Sequence, residues 1–145
     1  MERSALGQSR DTAWAMSQEN VEIVRQAVDA FNARDRDRLL SLMDPEIEFR
    51  SVFERKTYRG LAGMVQYRED IDATLEQFHS EDDRFLDAGE DRVVYLYRIV
   101  GRGTGSGVPV SRENAILWHL RDGRLLKGEV YLDQSQALEA AGLSE

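Results

Sequence analysis

Two tyrosines two positions apart, Tyr95 and Tyr97, precede an arginine and an asparagine with the same spacing, Arg112 and Asn114. With Trp118 four residues further on and Tyr58 earlier in the chain, these are the side chains best suited to holding a small molecule. A tyrosine pair beside an asparagine amide makes a small oxyanion site for a carbonyl oxygen. The planar guanidinium of Arg112 suits a carboxylate or a phenolate. Each has a plainer reading: core rings with satisfied hydroxyls for the tyrosines, an ion pair near a sheet end for Arg112, and core or pocket wall for Trp118.

Other chemistries are closed off by composition. There is no cysteine, so disulfides, thiolate nucleophiles and thiolate metal sites are excluded. The two histidines, His79 and His119, fit no metal-ligand spacing, so no metal site is expected. Gly101 to Gly107, GRGTGSG, lacks the pattern of a phosphate-binding loop and leads into a strand rather than a helix; no cofactor is expected. Among the acids, Glu48, Glu113, Glu129 and Asp133 fall on outward or terminal positions, and Asp133 is placed to cap the last helix. Asp70 and Asp72 read as solvated, with Asp70 able to face a pocket mouth, and Glu81-Asp82-Asp83 reads as a charged loop.

The elements that must position these groups follow from hydrophobic period. Val21, Val24, Val28 and Phe31 recur at three and four residues, giving a helix over Gln18–Arg34 with Ser17 as its N-cap. A short helix covers Asp35–Met43, and Asp44-Pro45 ends it. Ile47, Phe49 and Ser51 alternate as a strand; Lys56–Gly60 reads as a loop; Met64, Tyr67, Ile71, Leu75 and Phe78 step as a third helix over Leu61–Phe78. Strands are predicted over Arg84–Ala88, Arg92–Val100, Val108–Leu120 and Arg124–Leu132, and a final helix over Ser135–Ala141 closed by Gly142. Helices first and strands after predict an α+β fold with a mostly antiparallel sheet.

The turn between the last two strands decides which side chains share a face. A two-residue loop at Asp122-Gly123 pairs Trp118 with Lys127 and Glu129, whereas a three-residue loop from Arg121, with glycine at a bulge, pairs it with Leu126, Gly128 and Val130. The second groups apolar with apolar. The inward set is then Arg112, Asn114, Ile116, Trp118, Gly128 and Val130, with Tyr95 and Tyr97 from the neighbouring strand, while Glu113, His119, Lys127 and Glu129 face out. Gly128 leaves space for a cavity or marks tight packing.

The 145 residues are enough for one core. A net charge of -8 without a basic cluster argues against nucleic-acid binding. No apolar run approaches membrane-spanning length, no secretory signal pattern opens the chain, and the cytoplasm is the expected compartment. Residues 1–15 read as a flexible extension ahead of a domain over 16–145, with Met16 an alternative translation start.

The segment MSQENVEIVRQAVDAFNARDRDRLLSLMDPEIEF resembles the opening of SnoaL-like proteins of the nuclear transport factor 2-like superfamily. So do Tyr58-Arg59-Gly60, the turn from Arg121 to Leu125, and the ending from Tyr131 to Leu143; the likeness covers roughly residues 16–143. It implies a cone-shaped curved sheet around N-terminal helices with a pocket inside, as in the cystatin-like folds. It also implies a small-molecule ligand and a homodimer through the outer sheet face. The carboxylates that catalytic relatives carry have no counterpart: Val130 stands at the last-strand aspartate of limonene-type epoxide hydrolases, their Arg-x-Asp falls near Tyr97–Ile99, and Ile116 stands at a ketosteroid isomerase aspartate. The resemblance therefore leaves three readings: a polyketide cyclase-like pocket protein handling a small apolar or aromatic molecule; a non-catalytic module dimerising through Tyr131, Leu117 and Leu125; or an isomerase or hydrolase, if a register slip turns Glu113 and Glu129 inward.

Overall fold

A computed structural model describes residues 2–143, with side chains from residue 15 onward. Three helices come first: α1 (Glu2–Asn32), α2 (Arg36–Ser41) and, after two strands, α3 (Gly60–Thr74). The strands are β1 (Met43–Ser51), β2 (Lys56–Arg59), β3 (Leu75–Gly89), β4 (Arg92–Gly103), β5 (Pro109–Arg121) and β6 (Arg124–Tyr131), followed by α4 (Gln134–Ala140). They form one curved, open sheet in the order β2-β1-β6-β5-β4-β3, antiparallel except for the β1–β6 pair. The architecture is α+β, with the N-terminal helices on the concave side. Among the described residues no helix is long and apolar enough to cross a membrane.

The concave face and the helices share the larger core. Val24, Ala27 and Val28 of α1 pack with Ile47 and Phe49 of β1, Val93 of β4, Trp118 of β5 and Leu125 and Val130 of β6. A smaller core lies on the convex face, where Ala137 and Ala141 at the last helix cover Val94, Leu96, Ala115 and Leu117. Asp133 caps that helix by accepting the Ser135 amide at 2.8 Å, and Gly142 follows it at φ +75°, the left-handed position that suits glycine.

Several elements differ from the sequence expectation, each for a physical reason. Ser17 lies inside α1 rather than at its N-cap. Asp35, not part of α2, caps it by accepting the Arg38 amide, and Met43 through Pro45 already belong to β1, where Met43 pairs with Leu125. The expected loop at Lys56–Gly60 is mostly strand, because Lys56 to Arg59 pair with Ser51 to Glu48. Helix α3 stops at Thr74, and Leu75 and Phe78 belong to β3. Their three-residue step mimics a helix because a bulge intervenes between Glu76 and His79, with Gln77 at φ 54°. Glu81-Asp82-Asp83 is likewise not a loop but a second bulge in β3, with Asp82 at φ 56°. Gly101 to Gly103 extend β4 into the expected glycine loop.

The β5–β6 turn is the most instructive correction. It is the two-residue turn, with Asp122 and Gly123 both at positive φ and Arg121 opposite Arg124, not the three-residue loop. The left-handed pair matches the twist of the strands it joins. The extra residue appears further along, where the register shifts between Leu120↔Leu125 and His119↔Lys127 and leaves Leu126 bulged. Trp118 therefore still faces Gly128, and Ile116 faces Val130. Leu125, assigned to the outer strip, is instead fully buried in the inner core, and Leu117 is covered by the last helix.

Candidate functional site

Between the concave face and helices α1 to α3 lies a cavity of about 610 Å³. Strand β5 points Trp118, Ile116, Asn114 and Arg112 into it at every second residue, and β4 adds Tyr95, Tyr97 and Ile99. Arg112 is exposed, which marks the rim, whereas Asn114 is only 2% exposed.

Two aromatic walls result. Tyr95 and Tyr97 stack at 4.5 Å and 8° between planes, and Phe85 extends the stack at 5.2 Å from Tyr95. The other wall is Phe49, with Tyr67 at 4.6 Å and Trp118 at 5.5 Å.

Apart from the charged Arg34, Asp35, Arg36, Glu54, Arg68 and Arg112, polar side chains in the lining are few. Asn114 Oδ1 is buried and accepts no hydrogen bond from the protein. Burial pushes the Tyr97 hydroxyl up to about 12; nearby Asn114 acts downward, and the charges of Glu54 and Asp83 act upward. Tyr67 is raised well above the ordinary phenol value, chiefly by burial, with Tyr97 and Glu54 adding to it. Tyr95 is raised as well, first by burial, and it donates to Asp83 Oδ1 at 2.9 Å. Asp83 in turn accepts from Ser80, which is held to Asn32 of α1 by two hydrogen bonds, so that the second β3 bulge anchors the tyrosine stack to a helix.

Of the residues selected from sequence, Tyr95, Tyr97, Arg112, Asn114, Ile116 and Trp118 line the cavity. Tyr58 does not: its hydroxyl donates to Asp70 at 2.5 Å, and that bond, with those from Gln66 and Lys56, holds the Asp70 carboxyl down to about 2. Val130 is core packing beneath Ile116. Gly128 opens no space; a Cβ there would lie 2.6 Å from both Phe49 and Trp118. Arg112 forms no ion pair among the described residues but stacks on Phe53, its guanidinium carbon 4.8 Å from the ring centre.

Sequence reasoning missed Glu54. It sits in the turn between β1 and β2, lines the cavity, and accepts a hydrogen bond from the buried Ser51 hydroxyl. An irregular turn has no period, so nothing in the sequence marked this residue. Phe49 and Tyr67 did carry a signal, the strand alternation and the helical step, but only as core positions. Glu113 and Glu129 remain on the convex face, Glu113 beside Arg98 and Glu129 beside His119. Among the described residues no group of metal-ligating side chains gathers.

The model of the family described as SnoaL-like domain matches residues 24–127. Among solved structures, an NTF2-like protein of unknown function from Burkholderia pseudomallei is similar at 18% identity, with 83% of this chain and 95% of that one covered and a TM-score of 0.72. A protein from Xanthomonas campestris pv. campestris, assigned provisionally as a polyketide cyclase, is 16% identical over 87% and 98% of the two chains, with a TM-score of 0.73. TerC, crystallised with polyporic acid, is 22% identical over 86% and 98%, with a TM-score of 0.70. At these identities the likeness is one of fold. No curated protein matches the chain.

Proposed function

This chain belongs to the SnoaL-like domain family, and from its cavity we propose that it binds a small, flat aromatic molecule between the Tyr95–Tyr97 stack and the Phe49–Tyr67–Trp118 wall. The observation that carries this reading is the unpartnered Oδ1 of Asn114, buried beside the Tyr97 hydroxyl in a cavity with aromatic rings on two sides. A buried acceptor without a donor is destabilising by about 1–3 kcal/mol, and a ligand hydroxyl or N–H relieves that penalty. The volume falls in the range of small-molecule sites, roughly 300–1,000 Å³. That TerC, of similar fold, was co-crystallised with polyporic acid is in keeping with this reading.

The test is a thermal-shift panel of two- and three-ring phenols and quinones, followed by titration of Trp118 fluorescence in a W14F background. A ligand at a hundred times its Kd stabilises by about 2.7 kcal/mol. A panel in which no member raises Tm or quenches Trp118 sinks the reading.

A second reading, turnover rather than binding alone, is favoured by Glu54. Its carboxylate lies in the lining, is oriented by Ser51, and acts on the Tyr67 and Tyr97 hydroxyls through its charge. A carboxylate within reach of a bound hydroxyl or acidic C–H transfers a proton, and the tyrosines donate to the oxygen that gains charge. Product appearing with the natural enzyme and absent with Glu54→Gln supports it; ligands bound unchanged by both reduce the protein to a binding module.

The assembly proposed is a cytoplasmic homodimer through the outer face of β1 and β6. Glu48, Arg50, Lys127 and Glu129 there carry both signs of charge, which suits self-pairing about a two-fold axis.

A further inference from the structure

The chain carries a net charge of -8, yet its cavity is lined by Arg34, Arg36, Arg68 and Arg112 against only Asp35 and Glu54. Two positive charges are in excess where the molecule as a whole is strongly negative. Their placement is not diffuse. Arg112 stands opposite Ile99 on β4, and Ile99 stands opposite Ser80 on β3, so all three lie at one level of the concave face. One step outward, Gly101 faces Val110, and a Cβ on Gly101 would lie 3.0 Å from the Phe78 Cβ. Over the Phe78 ring sit the guanidinium carbons of both Arg34, at 4.6 Å, and Arg68, at 4.7 Å. The two groups are therefore separated by at most the sum of those distances, next to the level at which Arg112 emerges.

Stacking on a ring holds a guanidinium by its face and leaves its edge for donors. Arg34 spends one N–H on the Phe78 carbonyl at 3.0 Å, and Arg68 reaches Asp72 at 3.4 Å. Arg112 lies on Phe53 and, among the described residues, makes neither a hydrogen bond nor an ion pair. Of the two lining acids, Asp35 already accepts the Arg38 amide and Glu54 the Ser51 hydroxyl. The rim thus presents one uncommitted guanidinium fork, and two more guanidiniums line the same cavity, which has aromatic rings on two sides.

We propose that the ligand is an anion: a flat aromatic carboxylate whose rings lie between the two aromatic walls and whose carboxylate is held at the rim by Arg112, within the field of Arg34 and Arg68. This rests on the aromatic-ligand reading above. A charge-assisted pair with a guanidinium is roughly twice as strong as a neutral hydrogen bond and matches a carboxylate with two donors. Low-dielectric walls focus the field of the rim into the cavity.

Calorimetric titration with 2-naphthoate and 2-naphthamide, which share a ring system and differ in charge, tests the proposal. Naphthoate is expected to bind at least about tenfold more tightly, as a charged hydrogen bond of 1.5–3 kcal/mol implies. The advantage should shrink in 0.5 M salt, where the screening length falls to a few ångströms. Arg112→Gln should remove most of the preference, read as the ratio of the two affinities within the same variant so that any general effect on the site cancels. Equal binding of the two probes overturns the proposal but leaves the aromatic reading intact. A preference that survives in Arg112→Gln also overturns it, whether or not the Arg34→Gln/Arg68→Gln double variant then removes it. Binding of neither probe overturns both readings together.

Discussion

Asn114 is the residue at which stability and function pull apart. Its Oδ1 is buried without a donor, and it lines the cavity. Replacing it by leucine of similar size removes the unmet acceptor, so the empty protein should gain about 1–2 kcal/mol, which differential scanning calorimetry would read as roughly 3–5 °C in Tm. The same change should weaken a hydroxyl-bearing aromatic ligand by tenfold or so. A loss of Tm instead would mean that the amide is satisfied in the native protein.

Tyr97 supplies the pH prediction at the same scale. Its hydroxyl is raised to about 12, first by burial, against an ordinary phenol value near 10. Folding therefore favours the protonated phenol. The associated stability is complete below pH 10, falls as the pH rises, and is lost on passing about 12. Glu54→Gln removes one of the charges acting upward but not the burial, so the tyrosinate absorbance of Tyr97 should appear at lower pH than in the natural protein, still above 10. An unchanged titration would separate Glu54 from the tyrosines. Asp70 shows the opposite sign: Tyr58 first, then Gln66 and Lys56, hold its carboxyl down to about 2. Its contribution is complete above the unfolded carboxyl value and is lost progressively as the pH falls from there through about 2.

At the scale of elements, the sheet is aimed by its bulges. Leu126 absorbs the residue that the tight Asp122-Gly123 turn does not, and without it Glu129 and Lys127 would lie on the concave face in place of Gly128 and Val130. Gly128 lets Phe49 and Trp118 meet over its backbone. Gly128→Ala forces those rings apart and should cost about 1–3 kcal/mol in a urea titration, with Trp118 emission displaced. Near-neutral behaviour would show that the rings have room to retreat. The β3 bulges act similarly, setting Phe78 and Asp83 on the side of the helices, where Asp83 accepts from Tyr95.

At the scale of the whole molecule, residues 15–19 carry little of the core's packing. Ala15 to Glu19 are exposed or half-buried, and the first buried residue among those whose side chains are described is Asn20. A protein beginning at Met16 is expected to keep its Tm within a degree or two and its ligand affinity unchanged; a marked loss would place the first fifteen residues within the folded unit. The proposed dimer predicts a sedimentation coefficient that falls toward the monomer value as salt rises. A monomer at micromolar concentration and low salt would exclude it.

Much of the fold was legible because burial imposes a period. The step of Val21, Val24 and Val28, the alternation of β4 and β5, and the Asp133 cap each mark local structure through one repeating or local interaction. Trp118, Asn114 and Arg112 could be placed on one face by counting twos along a strand. Tertiary structure alone decided where that counting breaks. Bulges at Gln77, Asp82 and Leu126 insert a residue wherever pairing partners and side-chain burial disagree, and that balance depends on strands distant in sequence. It also decided that Tyr58 turns to Asp70, that Gly128 is closed by two rings, and that Glu54, from a turn without any period, lines the same cavity as Tyr67 and Tyr97. The sequence by itself determined which faces of β4 and β5 look inward, because apolar burial is local to each strand; where β6 breaks its alternation and which polar groups meet inside is a matter of distances between strands and helices, set only when the chain closes on itself.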